Sequence, residues 1–151
     1  MKRLLFALIG LFAAAAMATP LPKGADDVAA SGLTKAQARK VLIVVLKHEK
    51  FRLADPGMYI DGDLQGPNGE PNRPGYYDFS LSYENPKAGA TAYLGYYSVN
   101  IKTGDVWEVE SCVRYQFPAL GAHQREIVRR THTPMADDKS ARDEVGCPPK
   151  D

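Results

Sequence analysis

The chain has 151 residues, with 19 basic and 18 acidic side chains and a formal net charge of +1. A chain of this length forms one domain with a modest core and is too short for two. Its near-neutral charge argues against a protein that binds nucleic acid or an anionic membrane by electrostatic attraction.

The first 18 residues have the pattern of a secretory signal peptide. Two basic residues precede an apolar run over residues 4–16, and residues 16–18 form a small-x-small cleavage site. The apolar run is too short to span a bilayer, and no cysteine lies near the cleavage site to carry a lipid. We therefore expect a mature protein that begins at Thr19, carries a net charge of −1, does not insert into a membrane and is periplasmic or secreted.

A disordered leader and one long helix are predicted next. Residues 19–32 are small, polar and without periodicity, and a single domain is expected over residues 33–151. Thr34 and Gln37 have the spacing of a capping box, and residues 36–54 contain neither Gly nor Pro, which predicts a helix of about five turns. Its apolar stripe is Ala38, Val41, Leu42, Val45, Leu46, Glu49 and Leu53. Residues 41–46 are apolar on every side, so a buried strand stays open as an alternative.

A long loop and an antiparallel sheet follow. Nine of the 20 residues from 56 to 75 are Gly or Pro, which predicts a loop with one short extended piece at residues 58–60. Period-2 alternation over residues 76–83, 91–101 and 105–113 predicts an antiparallel meander. On this alternation the side chains expected under the helix are Tyr77, Phe79, Leu81, Tyr83, Tyr93 and Tyr97, and those expected to point outward are Tyr76 and Tyr96.

The C-terminal third predicts a second helix over residues 119–131 and then a polar tail. Cys112 and Cys147 are an even pair in an exported chain, which favours one disulfide over two free thiols and would hold the tail down. The fold class predicted is α+β: a long N-terminal helix packed on a three- to four-stranded antiparallel sheet, with a second helix tethered by the disulfide.

No catalytic residue or cofactor is assigned from the sequence. The three histidines are scattered over predicted helix surfaces without metal-ligand spacing, and no Gly-x-Ser-x-Gly motif occurs. Residues 61–66 match the first half of a calcium-binding loop, but Asn72 stands where a bidentate Glu is required, so no metal site is assigned. An enzyme is disfavoured and stays open, because catalytic groups can assemble from distant positions.

A protein-binding surface is predicted beside the long loop. Seven of the eight tyrosines lie between residues 76 and 115, and tyrosine offers a rigid apolar body with a polar tip. The loop supplies hydrogen-bond acceptors that suit a basic cleft in a partner. The candidate binding residues are Asp61, Asp63, Asn68, Glu70, Asn72, Tyr76 and Tyr96. A solvated loop without a partner is the alternative.

The stretches LTKAQA at residues 33–38 and YSVNIKTGDV at residues 97–106 resemble PepSY-like domains and, more loosely, the cystatin-like and NTF2-like immunity proteins of bacterial toxins. The resemblance implies a helix packed across an antiparallel sheet and a non-catalytic inhibitor or binder. The function expected is an exported protein-binding module, an inhibitor or immunity-type protein that neutralises a hydrolase or toxin in the envelope. A small periplasmic enzyme or ligand carrier is the alternative, and a structural or stress protein of the envelope is not separable from the first interpretation.

Overall fold

The computed structural model describes residues 27–62, 72–85 and 87–149. The expected signal peptide over residues 1–18 lies outside these ranges. Three helices and five strands form within them, so the predicted α+β class is confirmed, with one more helix and more strands than expected. The elements in chain order are α1 (Lys35–His48), β1 (Met58–Asp61), β2 (Tyr76–Asn85), β3 (Ala90–Asn100), β4 (Val106–Glu108), β5 (Val113–Arg114), α2 (Pro118–Thr131) and α3 (Asp138–Val145).

The five strands form one antiparallel sheet in the order β1-β2-β3-β4-β5. Residues directly opposite each other in an antiparallel ladder share a face, so the register assigns each paired strand residue to one of two faces. The inner face packs against α1 and α2 and forms the main core. The buried side chains of this core include Phe79 and Leu81 on β2, Tyr97 and Val99 on β3, Val106 on β4, and Leu120 and Ile127 on α2.

Helix α1 begins with the predicted capping box and buries five residues of the predicted stripe, whereas Glu49 is exposed and Leu53 lies beyond the helix. The backbone N–H of Thr34 donates to Gln37 Oε1 (2.8 Å), and the backbone N–H of Gln37 donates to Thr34 Oγ1 (3.3 Å). The buried side chains of α1 are Ala38, Val41, Leu42, Val45 and Leu46. The strand alternative for residues 41–46 is therefore wrong.

The helix is shorter than predicted and ends at His48 instead of residue 54. Lys50 has a left-handed φ of 68°, and its N–H donates to the Lys47 carbonyl (3.1 Å). The N–H of Phe51 donates to the Leu46 carbonyl (3.0 Å), and the Phe51 ring packs on the core. These paired bonds and the apolar contact form a Schellman ending, which glycine usually occupies and Lys50 occupies here.

The packed part of the chain starts before residue 33. Val28 and Leu33 are buried, with exposed fractions of 4% and 5%, and the Leu33 N–H donates to the Ile101 carbonyl (2.7 Å). The end of the segment expected to be a disordered leader is thus packed against the domain, because its Val28 side chain reaches the core.

Helix α3 lies in the segment predicted to be a polar tail, so that prediction is wrong. Asp137 caps its start by accepting from the Ser140 N–H (2.9 Å), and Gly146 ends it with a φ of 77°. The helix covers part of the outer face and builds a second buried cluster there. The cluster contains Tyr76, Trp107, Ala141, Val145 and Cys147.

The predicted disulfide between Cys112 and Cys147 is confirmed, with the two Cα atoms 5.7 Å apart. It ties the end of α3, not α2, to the sheet. Cys112 lies in a turn over residues 109–112, where it has a left-handed φ of 55°, so the single third run predicted for residues 105–113 is divided into β4 and β5. The tether holds α3 over its half of the outer face.

Candidate functional site

The half of the outer face that α3 leaves uncovered is the candidate site, and we call it the open half. Two rows of side chains cross it from β1 through β2 to β3. In one row Ser82 pairs with Tyr59 and Tyr93, and in the other Ser80 pairs with Asp61 and Tyr96. The serines lie between taller neighbours on both sides, so the open half is a shallow trough with a small-residue floor.

A β-bulge places Tyr93 on this surface. The register shifts between Leu81 and Ser82, so Leu81 pairs with Gly95 and Ser82 pairs with Tyr93, which leaves Leu94 as the extra residue. One extra residue in a strand interrupts the period-2 alternation, so the residues on one side of it point to the opposite face from the one that the alternation predicts. Tyr93, predicted to pack under α1, therefore lies on the outer face and is 51% exposed.

Exposed apolar side chains concentrate at this site. Among the described residues, five large hydrophobic side chains are exposed, and three of them are Tyr59 (42%), Tyr93 (51%) and Leu94 (38%). Tyrosines at this exposure are a common anchor type in protein interfaces. Desolvation, then the nearby charges of Glu110 and Glu108, raises the pKa of the Tyr93 hydroxyl to about 12.

Arg73 closes one end of the open half. Its Nη1 donates to Tyr96 Oη (3.1 Å) and, at 3.4 Å, to both carboxylate oxygens of Asp78. Its Nε donates to the Val145 carbonyl on α3 (3.2 Å), and its guanidinium lies 5.2 Å from the Tyr96 ring centroid. The Asp78 carboxylate is almost fully buried and also accepts from the Ser98 hydroxyl. Arg73 thus neutralises a buried carboxylate and orients Tyr96 toward the surface.

Tyr76 is not part of this surface, which corrects the prediction that it points outward as an exposed anchor. It is 3% exposed and packs in the cluster under α3 with Trp107 and Val145. Its hydroxyl donates to Glu144 Oε2 (2.7 Å), and burial, then this hydrogen bond, raises its pKa. The reason is α3, whose presence the sequence analysis missed, so the face it assigned to solvent is covered there.

Three of the other predicted binding residues can be placed. Asp61 is exposed on β1, and Tyr96 lies in its row. Asn72 is exposed, and its Nδ2 donates to Tyr96 Oη (3.4 Å), so the structure brings Asn72 and Tyr96 together. Asp63, Asn68 and Glu70 lie outside the described residues.

The structure does not assemble an evident reaction centre from the histidines. His48 stacks on Phe117, with ring centroids 3.9 Å apart, and burial lowers the pKa of His123. No group of three or more His, Cys, Asp or Glu side chains in residues 27–62, 72–85 and 87–149 is arranged to hold a metal ion. Across the same ranges, no helix has both the length and the apolar character needed to cross a membrane. The aromatic and acidic open half is suited to contact with another macromolecule.

Comparison with known proteins identifies the family. A family model described as "T6SS, Immunity protein Tgi2PP" matches residues 32–139, which is more than half of the chain. The chain belongs to this family. It is also similar to a chain in the structure of a type VI secretion system effector-immunity complex from Pseudomonas protegens, with 51% sequence identity and a TM-score of 0.77, covering 83% of this chain and 98% of that one. No curated protein shows a significant match.

Family membership confirms the predicted immunity-type, protein-binding function and corrects the predicted relatives. The resemblance to PepSY-like, cystatin-like and NTF2-like domains is wrong as a family assignment, because the matching model is that of the type VI immunity family. What those relatives share with this family is a small α+β domain with a helix across an antiparallel sheet. The short stretches at residues 33–38 and 97–106 therefore indicated the architecture and the role without indicating the family.

Of the residues that build the open half, sequence reasoning missed Tyr59, Tyr93 and Arg73. Tyr59 was available in the short extended piece at residues 58–60, whose pairing with β2 places it on the outer face. Arg73 follows a loop, and nothing in its neighbourhood signals its distant partner Asp78. The bulge that exposes Tyr93 has only Gly95, one residue after Leu94, as a sequence signal.

Proposed function

We propose that this chain protects a bacterium against a type VI secretion effector by binding that effector directly in the cell envelope. The observation that carries the proposal is the family match over residues 32–139, supported by the 51% identity to a chain of an effector-immunity complex. Neutralisation by stoichiometric binding requires a stable, exposed contact surface and no catalytic group of its own. The open half of the outer face is such a surface.

The envelope location rests on two features of the chain. Residues 1–18 have the pattern of a signal peptide, and the Cys112–Cys147 disulfide is typical of an oxidising compartment. A variant without residues 2–18 is expected to stay in the cytoplasm and to give no protection. Full protection by that variant would contradict the envelope location and leave the immunity function intact.

The acceptors predicted on the long loop remain part of the proposed contact. Residues 63–71 lie outside the described ranges. Asp61 precedes them and Asn72 follows them, and the Asn72 side chain donates to the Tyr96 hydroxyl. We propose that Asp63, Asn68 and Glu70, with these two, extend the contact beyond the sheet. Replacing all five by Ser is expected to weaken effector binding with little change in the thermal midpoint, and unchanged binding would remove the loop from the contact.

A competition assay between bacterial strains tests the proposed function and also identifies the effector. A strain that lacks this chain and the toxin it neutralises is grown in contact with its parent. The parent is expected to kill the deletion strain, and killing should disappear when the parent's type VI secretion is inactivated or when this chain is restored. Equal survival in all pairings would contradict the proposal. The secreted protein whose loss from the parent abolishes killing is the effector used below.

A further inference from the structure

We infer that the open half receives basic side chains of the effector between two tyrosine-bearing rails. This inference rests on the proposed function and names the surface and the chemistry of its partner. The rails are β1, with Tyr59 and Asp61, and β3, with Tyr93 and Tyr96, and the floor is Ser80 and Ser82 on β2. We call these six residues the tyrosine slot.

The slot is two strand spacings wide. Its rails lie about 9–10 Å apart between backbones, and the serine floor carries shorter side chains than either rail. Ser82 is 6% exposed, although it is on the open half, because it lies at the bottom between Tyr59 and Tyr93. A side chain that enters from the partner therefore meets an aromatic ring on each side.

The chemistry of the walls selects a cation. Tyrosine faces attract ammonium and guanidinium groups, and carboxylates pair with them. Glu110 is exposed in the turn after β4, where its charge acts on the Tyr93 hydroxyl, and Asp61 is exposed on the opposite rail. Arg73 lies at the end of the slot, where Asp78 neutralises its charge. Another arginine or lysine is the ligand that rings and carboxylates in this arrangement accommodate.

The distribution of charge over the whole domain favours the same partner. Exposed basic residues of α1, which include Arg39, Lys40 and Lys47, lie on the side of the inner face. The outer side carries exposed acidic residues on α3, Asp143 and Glu144, in addition to those at the slot. A basic surface of the effector would therefore be steered toward the outer side and repelled from the helical side.

The test is the affinity of the purified mature chain for the effector identified by the competition assay, measured by titration calorimetry in 0.05 M and 0.5 M NaCl. The double variant Tyr59→Ala with Tyr93→Ala is expected to bind at least about 100-fold more weakly, because it removes both anchors. Ser80→Arg, which places a cation from this chain in the slot, is expected to bind at least about 30-fold more weakly. Tyr93→Phe keeps the ring and should bind within about threefold of wild type.

Charge is tested separately. Glu110→Gln is expected to lower affinity about tenfold in 0.05 M NaCl and to differ little from wild type in 0.5 M NaCl, because salt screens an exposed charge. Lys40→Gln, on the helical side, is the matched control and should bind as tightly as wild type or more tightly at low salt. Circular dichroism checks that each variant keeps the wild-type thermal midpoint, which exposed tyrosine positions permit.

Two results would overturn the inference. Wild-type affinity in the double tyrosine variant would place the contact elsewhere, and weakened binding that does not respond to salt or to Glu110→Gln would mean that an apolar side chain enters the slot. Both differ from failure of the proposed function, in which the wild-type chain neither binds the effector nor protects the cell.

Discussion

Replacing Tyr76 by Ala should strongly destabilise the domain, although Tyr76 was expected from sequence to be a surface residue. Its side chain is 3% exposed and packs against Trp107 and Val145 under α3. Truncation of a buried aromatic side chain to Ala costs about 3–5 kcal/mol. Loss of the hydroxyl bond to the exposed Glu144 adds at most about 1 kcal/mol. We expect the free energy of unfolding to fall by about 4 kcal/mol, a large part of the total for a domain of this size.

Urea unfolding followed by circular dichroism measures this loss. With a denaturant dependence of about 2 kcal/mol per molar, the midpoint should fall by about 2 M urea. Tyr76→Phe keeps the buried ring and should lose about 1 kcal/mol or less. Tyr93→Ala is the matched control, because Tyr93 is 51% exposed, and it should stay within about 0.5 kcal/mol of wild type. If Tyr76→Ala and Tyr93→Ala unfold at the same midpoint, α3 does not cover this part of the sheet and the two-sided fold is wrong.

Three further predictions concern the elements that hold the outer layer and the core. Cys147→Ser removes the cross-link to Cys112, which lies 35 residues earlier in the chain. The free energy of unfolding should fall by about 4 kcal/mol in the chain-entropy model, and a protease should cut residues 135–147 faster. Equal digestion of the oxidised wild type and the variant would contradict the tether. Arg114→Ala leaves the buried Asp105 carboxylate without its ion-pair partner and should cost about 3–5 kcal/mol at pH 7. Part of this loss should be recovered as the pH falls, because burial raises the pKa of Asp105 and a protonated carboxyl needs no cation. A pH-independent loss would refute this interpretation. Burial and the charges of nearby glutamates raise the pKa of Tyr115 to about 12. Its contribution to stability is therefore complete below pH 10 and should be lost from pH 10 toward 12, because the tyrosine ionises first in the unfolded chain. The free energy of unfolding of Tyr115→Phe should fall less steeply than that of wild type over this pH range, and identical slopes would contradict this prediction.

The inner half of the fold was predictable because its signals are local. A capping box at Thr34 and Gln37 fixes where α1 begins, and its apolar spacing fixes which side is buried. Alternation over β2 likewise assigned Phe79 and Leu81 to the core. In α1 these signals come from residues three or four positions apart, and in β2 they come from residues two positions apart. The structure places Phe79 and Leu81 in the core, as expected.

The outer half was not predictable because its signals are weak or non-local. Helix α3 has eight residues and buries only Ala141, Arg142 and Val145, so its sequence is polar enough to resemble a tail. One extra residue at Leu94 reverses the face of Tyr93 without changing the composition of the strand. The sequence analysis therefore assigned Tyr76 and Tyr93 to each other's environments: Tyr76 is buried and Tyr93 is exposed.

Amide hydrogen exchange of the chain, alone and with saturating effector, tests the central claim most directly. If the effector binds the open half of the outer face, exchange should slow in peptides that cover β1 and the first half of β3, residues 58–61 and 90–96. Exchange in α1, over residues 35–48, should not change, because α1 packs on the opposite, inner face of the sheet. Slowed exchange confined to α1 and α2, or no change anywhere with the effector present, would contradict the account.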